Sequence, residues 1–391
     1  MRSAALVGIG ITLATGACGR GRRERVAAAG DAAADTVHHP DTVNLYAHAG
    51  ANELASAAVP AVPRVYVPNS RDGTVTVIDP RTYRVERTFP TGALPQHVVP
   101  SYDLTTLWVA NNLGNTLTPI DPVTGREGKS VPVDDPYNLY FTPDGRFAIV
   151  IAERRRRLDF RDAHTMRLVQ AVPVACTGVD HMEFTADGRS AIATCEFSGQ
   201  LVKLDLTTRT IAGYLTLGVG ASGARGGGTA MPQDIRSSPD GRVFYVADMR
   251  ENGVFLVDPE AFRRIGFIAI GKGTHGIYPS RDGRLLYITN RGWNTTAGGR
   301  RGPGSVTVLD PATQRIVATW PVPGGGSPDM GNVSADGREL WLSGRYDDEV
   351  YVFDTESGRL THRIKVGREP HGLCVWPQPG RYSLGHTGNM R

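Results

Sequence analysis

Apolar residues along this chain fall in short runs that alternate with polar ones at a spacing of two and stop at Gly, Pro, Asn or Asp. That pattern predicts short, half-buried strands rather than helices. Residues 233–274 are the plainest copy. Gln233-Asp234-Ile235 opens strand A, Pro239-Asp240-Gly241 turns, Val243–Asp248 is strand B and Val254–Asp258 is strand C; Pro259-Glu260 turns again and Arg264–Ile270 is strand D. The Asp ending strand C recurs as Asp79, Asp121, Asp162, Asp205, Asp258, Asp310 and Asp354, at spacings of 42, 41, 43, 53, 52 and 44 residues. A period of about 40–50 residues made of four strands predicts an all-β, seven-bladed β-propeller of four-stranded antiparallel blades. The chain enters at strand B with Arg64–Asn69, and His371–Trp376 begins an eighth copy. The ring is therefore expected to close when this C-terminal strand joins the N-terminal blade, which removes an exposed sheet edge. Tyr382–His386 is left to add a paired segment or to cover one face.

The Asp-Gly pairs at 144/145, 187/188, 240/241, 282/283 and 336/337 suit tight A-to-B hairpins, where glycine accepts positive φ. The strand-C Asp can accept hydrogen bonds from the amides of the next turn, so both are read as structural. Strand B ends as Tyr66-Val67-Pro68-Asn69, Trp108-Val109-Ala110-Asn111 and Tyr287-Ile288-Thr289-Asn290. Together with the Ser-Pro-Asp-Gly-Arg turn and the Val-x-Val-Ile-Asp strand, these motifs resemble the YVTN-repeat β-propellers, the YncE-like family, over residues 64–391. The resemblance implies the fold, a binding or scaffold role of the exported bacterial lipoprotein type, and a distant relation to haem d1-binding propellers.

Residues 1–18 carry Arg2, an apolar run from Ala4 to Leu13 and Thr15-Gly16-Ala17-Cys18, the layout of a secretory signal. The run is too short to span a bilayer. Small residues before Cys18 resemble a lipobox, in which Cys18 would be acylated; Thr15 departs from that motif, and plain cleavage after Ala17 is the alternative. Residues 19–62, rich in Ala, Gly, Arg, Asp and Pro, read as a flexible tether, and 63–391 as the propeller. The expected location is extracytoplasmic, as a membrane-anchored lipoprotein or otherwise secreted. A net charge of +4 over 391 residues, without a basic stripe, argues against nucleic acid as a partner. Export permits a disulfide, and Cys176 and Cys195 are placed on one face within a blade's width. The alternative is a pair of thiolates beside His181 holding a soft metal. Cys374 alternates within an inner strand as a small buried hydrophobe.

Both insertions that lengthen the period, Gly218–Pro232 and Arg291–Ser305, fall on the face of the D-to-A and B-to-C connections. They bring Arg225, Arg291, Arg300 and Arg301, either as disordered surface loops or as a lid over the channel mouth. Strand A starts on the same face, at Gln96-His97, Tyr137-Asn138, Asp180-His181, Gln233-Asp234, His275-Gly276, Asp329-Met330 and His371-Gly372. A rim of His97, Asp180, His181, Asp234, His275, Asp329 and His371 is therefore expected, with Asn69, Asn111, Glu153, Glu196, Asp248 and Asn290 at nearby strand-B ends. Imidazole with carboxylate suits zinc, copper or iron, and carboxylate with amide oxygen suits calcium. No pair has the i, i+2 or i, i+4 spacing that sets two ligands on one element. A metal or haem site, a small-ligand pocket and a purely structural rim all stay open. Haem d1 would need an axial His, with Arg154, Arg155, Arg225, Arg291, Arg300 or Arg345 for its carboxylates. Covalent c-type haem is excluded, since there is no Cys-x-x-Cys-His. Neither Gly-x-Ser-x-Gly nor His-Glu-x-x-His occurs. The expected role is thus a monomeric binding module for an envelope protein, glycan or small molecule, touching membrane only through its anchor. The alternative is a lactonase-like propeller using His181, His275 or His371 with Asp180 or Asp234 as acid and base. No catalytic residue and no cofactor is assigned.

Overall fold

The computed structural model describes residues 43–218 and 230–391. The signal-like segment, Cys18, Arg225 and nearly all of the first insertion lie outside these residues. Seven four-stranded antiparallel sheets form the propeller. Blade 1 takes its innermost strand from the far end of the chain, where Cys374–Trp376 pairs with Arg64–Asn69 at Val65↔Val375 and Tyr66↔Cys374. Blades 2 to 7 begin with strands A at Pro95–Pro100, Pro136–Phe141, Val179–Phe184, Pro232–Ser237, Thr274–Pro279 and Pro328–Val333. No described helix is long and apolar enough to cross a membrane.

Each blade buries both faces against its neighbours, and the period of two along a strand sorts the side chains. In blade 5, Phe244, Val246, Phe255 and Val257 pack against Ile192 and Leu201 of blade 4. Tyr245, Ala247, Val254 and Leu256 pack against Ile277, Ile288 and Leu309 of blade 6. The strand-C aspartates cap the turns after them: Asp258 accepts from the amides of Glu260 and Ala261, and Asp121 from that of Val123. At the A-to-B turn, Gly241 sits at φ +72°, and Asp240 accepts from Ser238 Oγ and the Arg242 amide. The strand-B asparagines also prove structural. Asn69 Nδ2 donates to Thr74 and Thr76, Asn111 to Thr116 and Thr118, and Asn290 to Ser305 and Thr307, so each locks strand B to strand C.

Two segments cover the face of the A-to-B turns. Residues 43–62, expected as the end of a flexible tether, instead form turns packed on the ring. The Leu45 amide donates to Pro239 O, Tyr46 Oη to Ser237 O and the Asn52 amide to Ala335 O, while Tyr46, Ala49, Ala58 and Ala61 are buried. Tyr382–His386 both pairs and covers. The His386 amide donates to Leu139 O, the Phe141 amide to Leu384 O, and residues 383–387 are buried. Thr387 accepts from Asn332 Nδ2, and Arg391 forms an ion pair with the buried Glu183 at 2.8 Å. The tail thus fills the axial channel from this side.

Candidate functional site: the axial histidine cluster and channel mouth

The start of each strand A is irregular. The ladder of blade 4 skips from Val179 to Met182, that of blade 5 from Pro232 to Ile235, that of blade 6 from Thr274 to Ile277 and that of blade 7 from Pro328 to Gly331. A bulge releases residues from the alternation of the pleat. Here it lets two consecutive side chains approach the axis, and the rim residues accordingly form two tiers.

The tier nearer the mouth is organised by Asp329, which is fully buried. Its Oδ1 accepts from Arg291 Nε at 2.7 Å and lies 2.6 Å from Arg291 Nη2; its Oδ2 accepts from His371 Nδ1 at 2.7 Å. His275 Nδ1 stands 3.0 Å from Oδ1 but off the line of a hydrogen bond. Burial works to raise the Asp329 pKa, but Arg291 and the two imidazoles outweigh it and hold it well below the usual carboxylate range. Burial, followed by Arg291, lowers His275 to about 3. The inner tier holds His97, His181, Asp234 and, from the tail, His386. Asp234 accepts from the Ile277 amide at 2.9 Å and pairs with Arg236 at 3.2 Å, which ties blade 5 to blade 6. His97 Nδ1 lies 3.0 Å from Tyr137 O. Burial lowers His181 to about 4 and pushes Asp180 well above its usual range. The glycine after His371 has a steric reason: a Cβ at Gly372 would lie 2.2 Å from His97 Cδ2. All five axial imidazoles are at most 2% exposed.

The rim expected from sequence is thus brought together, with three changes. His386 joins it from the tail, and no motif in the sequence marks it. Asn69, Asn111 and Asn290 leave it for the locks described above, while Asp248 caps the Met231, Arg250 and Glu251 amides. The residue one position beyond strand B is Ser70, Asn112, Glu153, Glu196, Met249, Arg291 and Arg345 in blades 1 to 7, and of these Glu153, Glu196 and Arg345 are partly exposed. The acidic members of this set sit on blades 3 and 4, and the arginines on blades 6 and 7. Burial, with mutual repulsion among the carboxylates, raises Glu153 to about 8; burial and then Asp180 raise Glu196 to about 7.

Of the loop arginines, Arg291 reaches the axis at Asp329, Arg225 lies outside the described residues, and Arg300 and Arg301 turn away from the mouth. Arg300 pairs with Asp348, Arg301 with Glu349 at 2.7 Å, and the insertion packs on blade 7, where Tyr346 Oη donates to Thr296 O. Of the two readings of that insertion, neither a lid nor a disordered loop describes it. Arg154 pairs with the buried Asp135 at 2.7 Å, and the Arg155 amide donates to the same carboxylate. Cys176 and Cys195 form a disulfide that closes the entry to blade 4, so they are not a thiolate pair. Cys374 is buried and free.

A closed seven-bladed propeller with a plugged channel and a polar mouth defines the class of protein. Within that class, the chain belongs to the YncE-like β-propeller family, whose family model matches residues 37–380. No curated protein matches it. Among solved structures it is similar to the periplasmic gluconolactonase PpgL of Pseudomonas aeruginosa, at 19% identity and TM-score 0.63, covering 81% of this chain and 99% of that one. It is also similar to the dihydro-heme d1 dehydrogenase NirN, at 17% identity and TM-score 0.58, covering 83% and 78%. A functionally unknown protein from Desulfotomaculum acetoxidans aligns at 14% identity and TM-score 0.64, covering 81% and 99%. At these identities the likeness is one of fold. The residues present do not fit haem d1. Ring centroids of His97, His181, His371 and His386 are only 4.9–5.6 Å from those of their neighbours, no gap for a tetrapyrrole. Among the described residues, none of the five axial imidazoles is exposed to serve as an axial ligand.

Proposed function

We propose that this chain is an exported cell-envelope binding module that takes a polar ligand at its channel mouth. The observation that supports this reading most is the divided ring beyond strand B. Glu153 and Glu196 face one side and Arg345 the other, with the partly buried Tyr137 between them, while the opposite end of the channel is filled by the tail. The Arg345 side chain has no ion pair among the described residues and makes a long contact, 3.4 Å, to Ser70 Oγ. A ligand with an anionic group toward Arg345 and hydrogen-bond donors toward the two glutamates matches that charge division. Small glycan fragments and sugar acids have this character. The signal-like start and the disulfide favour an extracytoplasmic setting, with anchoring at Cys18 and the propeller acting as a monomer.

Thermal-shift titration of the purified protein with sugar acids, amino acids and cell-wall glycan fragments tests the reading. A ligand that stabilises the wild type, and loses at least tenfold in affinity with Arg345→Ala or Glu196→Gln while folding is retained, supports it. A full panel without a shift overturns it. Cell fractionation with Cys18→Ala tests the anchor: the variant should leave the membrane fraction. A second reading has its own observation, since carboxyls raised to about 8 and about 7 suit general acid and base work near neutral pH. Lactone turnover that disappears in Glu153→Gln would move the site to the hydrolase class.

A further inference from the structure

The inner tier holds a set of groups that neither the mouth nor the closure of the ring explains. His97 of blade 2, His181 of blade 4 and His386 of the tail each offer a ring nitrogen, and these nitrogens lie within 4.8 Å of one another. All three side chains are fully buried, yet their Nε2 atoms have no hydrogen-bond partner. A buried polar atom left unpaired is unfavourable, and native structures contain few. Three such atoms, on rings whose nitrogens come this close, point to something held between them.

The second nitrogen of each ring has a polar neighbour. His97 Nδ1 meets Tyr137 O at 3.0 Å; His181 Nδ1 lies 3.3 Å from Asp180 Oδ2, but neither atom makes a hydrogen bond. His386 Nδ1 stands 3.0 Å from Asn138 Nδ2, whose amide is fixed by the Leu139 N–H donating to Oδ1 at 2.9 Å. Metal-binding imidazoles characteristically give their second nitrogen to a carbonyl or carboxylate, as His97 does here, which leaves Nε2 as the ligand. His275 and His371, by contrast, are both drawn to Asp329.

We propose that His97, His181 and His386 bind one first-row transition-metal ion, copper or zinc, through their Nε2 atoms. The donors are neutral imidazoles without thiolate, a set that suits these two ions. Metal–nitrogen bonds of about 2.0–2.1 Å put tetrahedral ligand atoms about 3.3 Å apart, so the nitrogens close in by up to about 1.5 Å on loading. Asp234, 3.7 Å from His386 Nε2, is the carboxylate beside the site. The site lies below the mouth and does not rest on the ligand reading of the mouth.

The test uses the full chain purified without a histidine tag, stripped with chelator, and titrated with Zn(II) and separately with Cu(II). One metal per chain retained through gel filtration, with a raised melting temperature, is expected. His181→Gln and His386→Gln should weaken retention at least a hundredfold, and His362→Gln, on an outer strand, should not. Absence of stoichiometric uptake by the folded wild type overturns the proposal, as does uptake indifferent to the two axial variants. If those variants fail to fold, electron paramagnetic resonance of the Cu(II)-loaded wild type decides: coupling to imidazole nitrogens supports the site, and a spectrum without it refutes it.

Discussion

Asp329→Asn is the sharpest perturbation of the axial cluster, because it removes a charge while preserving shape. In the wild type this carboxylate neutralises Arg291, whose side chain is 6% exposed, and receives His371 Nδ1 at 2.7 Å. The asparagine keeps one acceptor but leaves the guanidinium as an uncompensated buried charge. Breaking a buried pair from one side costs about 3–5 kcal/mol, against a total stability of about 5–15 kcal/mol for a typical domain. Arg291→Met alone should cost a similar amount by stranding the carboxylate. The double variant should lose less than the two singles combined, giving a coupling of about 2 kcal/mol or more. Denaturant unfolding followed by tryptophan fluorescence, with unchanged m-values as the control, measures all three. A loss under about 1 kcal/mol for Asp329→Asn, or strict additivity in the double variant, would refute the view that this pair organises the axis.

Stability should peak near about pH 6. The five axial imidazoles have folded pKa values lowered by burial, so their contribution is complete above the unfolded value of about 6.5 and is lost as pH falls toward the folded ones. Glu153, Glu196 and Asp248 are raised to about 8, 7 and 7, so theirs is present below the unfolded value of about 4 and lost as pH rises through 7–8. A melting temperature that climbs steadily from pH 5 to 9 would contradict this. Trp376→Ala, removing a side chain 1% exposed in the closing strand, should cost about 3–5 kcal/mol, and deletion of residues 371–391 should abolish cooperative melting by circular dichroism. Opening the Cys176–Cys195 disulfide, which spans 19 residues, should cost about 3 kcal/mol, seen as a lower denaturant midpoint in dithiothreitol; no change would mean the loop is already held by its neighbours.

The propeller was legible in the sequence because its repeat is written in residues that a turn requires whatever the protein does. Asp258 caps two amides and Gly241 needs positive φ, so both recur at a fixed spacing. Closure was legible for the same reason, as a missing strand at one end and a spare one at the other. The site was legible as a set of residues but not as a geometry. Nothing in Asp180-His181 or Gln233-Asp234 announces the bulge that brings both members toward the axis. Counting strand B one residue short placed Asn69 and Asn111 at the mouth instead of Ser70 and Asn112. Arg300 and Arg301 read as loop charges because their partners, Asp348 at the end of the next blade's B-to-C turn and Glu349 at the start of its strand C, are brought to them only by the folded ring.

His386 exposes the deeper limit. In a repeat protein each unit ordinarily touches only its neighbours, and that is why a period read along the chain predicts its packing. The tail breaks this rule. Residues 383–391 reach the Tyr102 carbonyl of blade 2, Leu139 of blade 3, Glu183 of blade 4 and Asn332 of blade 7. Blade 7 is thereby joined to blades on the far side of the ring, and the axial side chains become a buried interior instead of the wall of an open solvent column. Only such an interior gives an unpaired imidazole nitrogen chemical meaning, since in an open channel water would satisfy it. The segment that closes the axis is thus also the one that completes the histidine cluster, so fold and candidate site share a single physical cause.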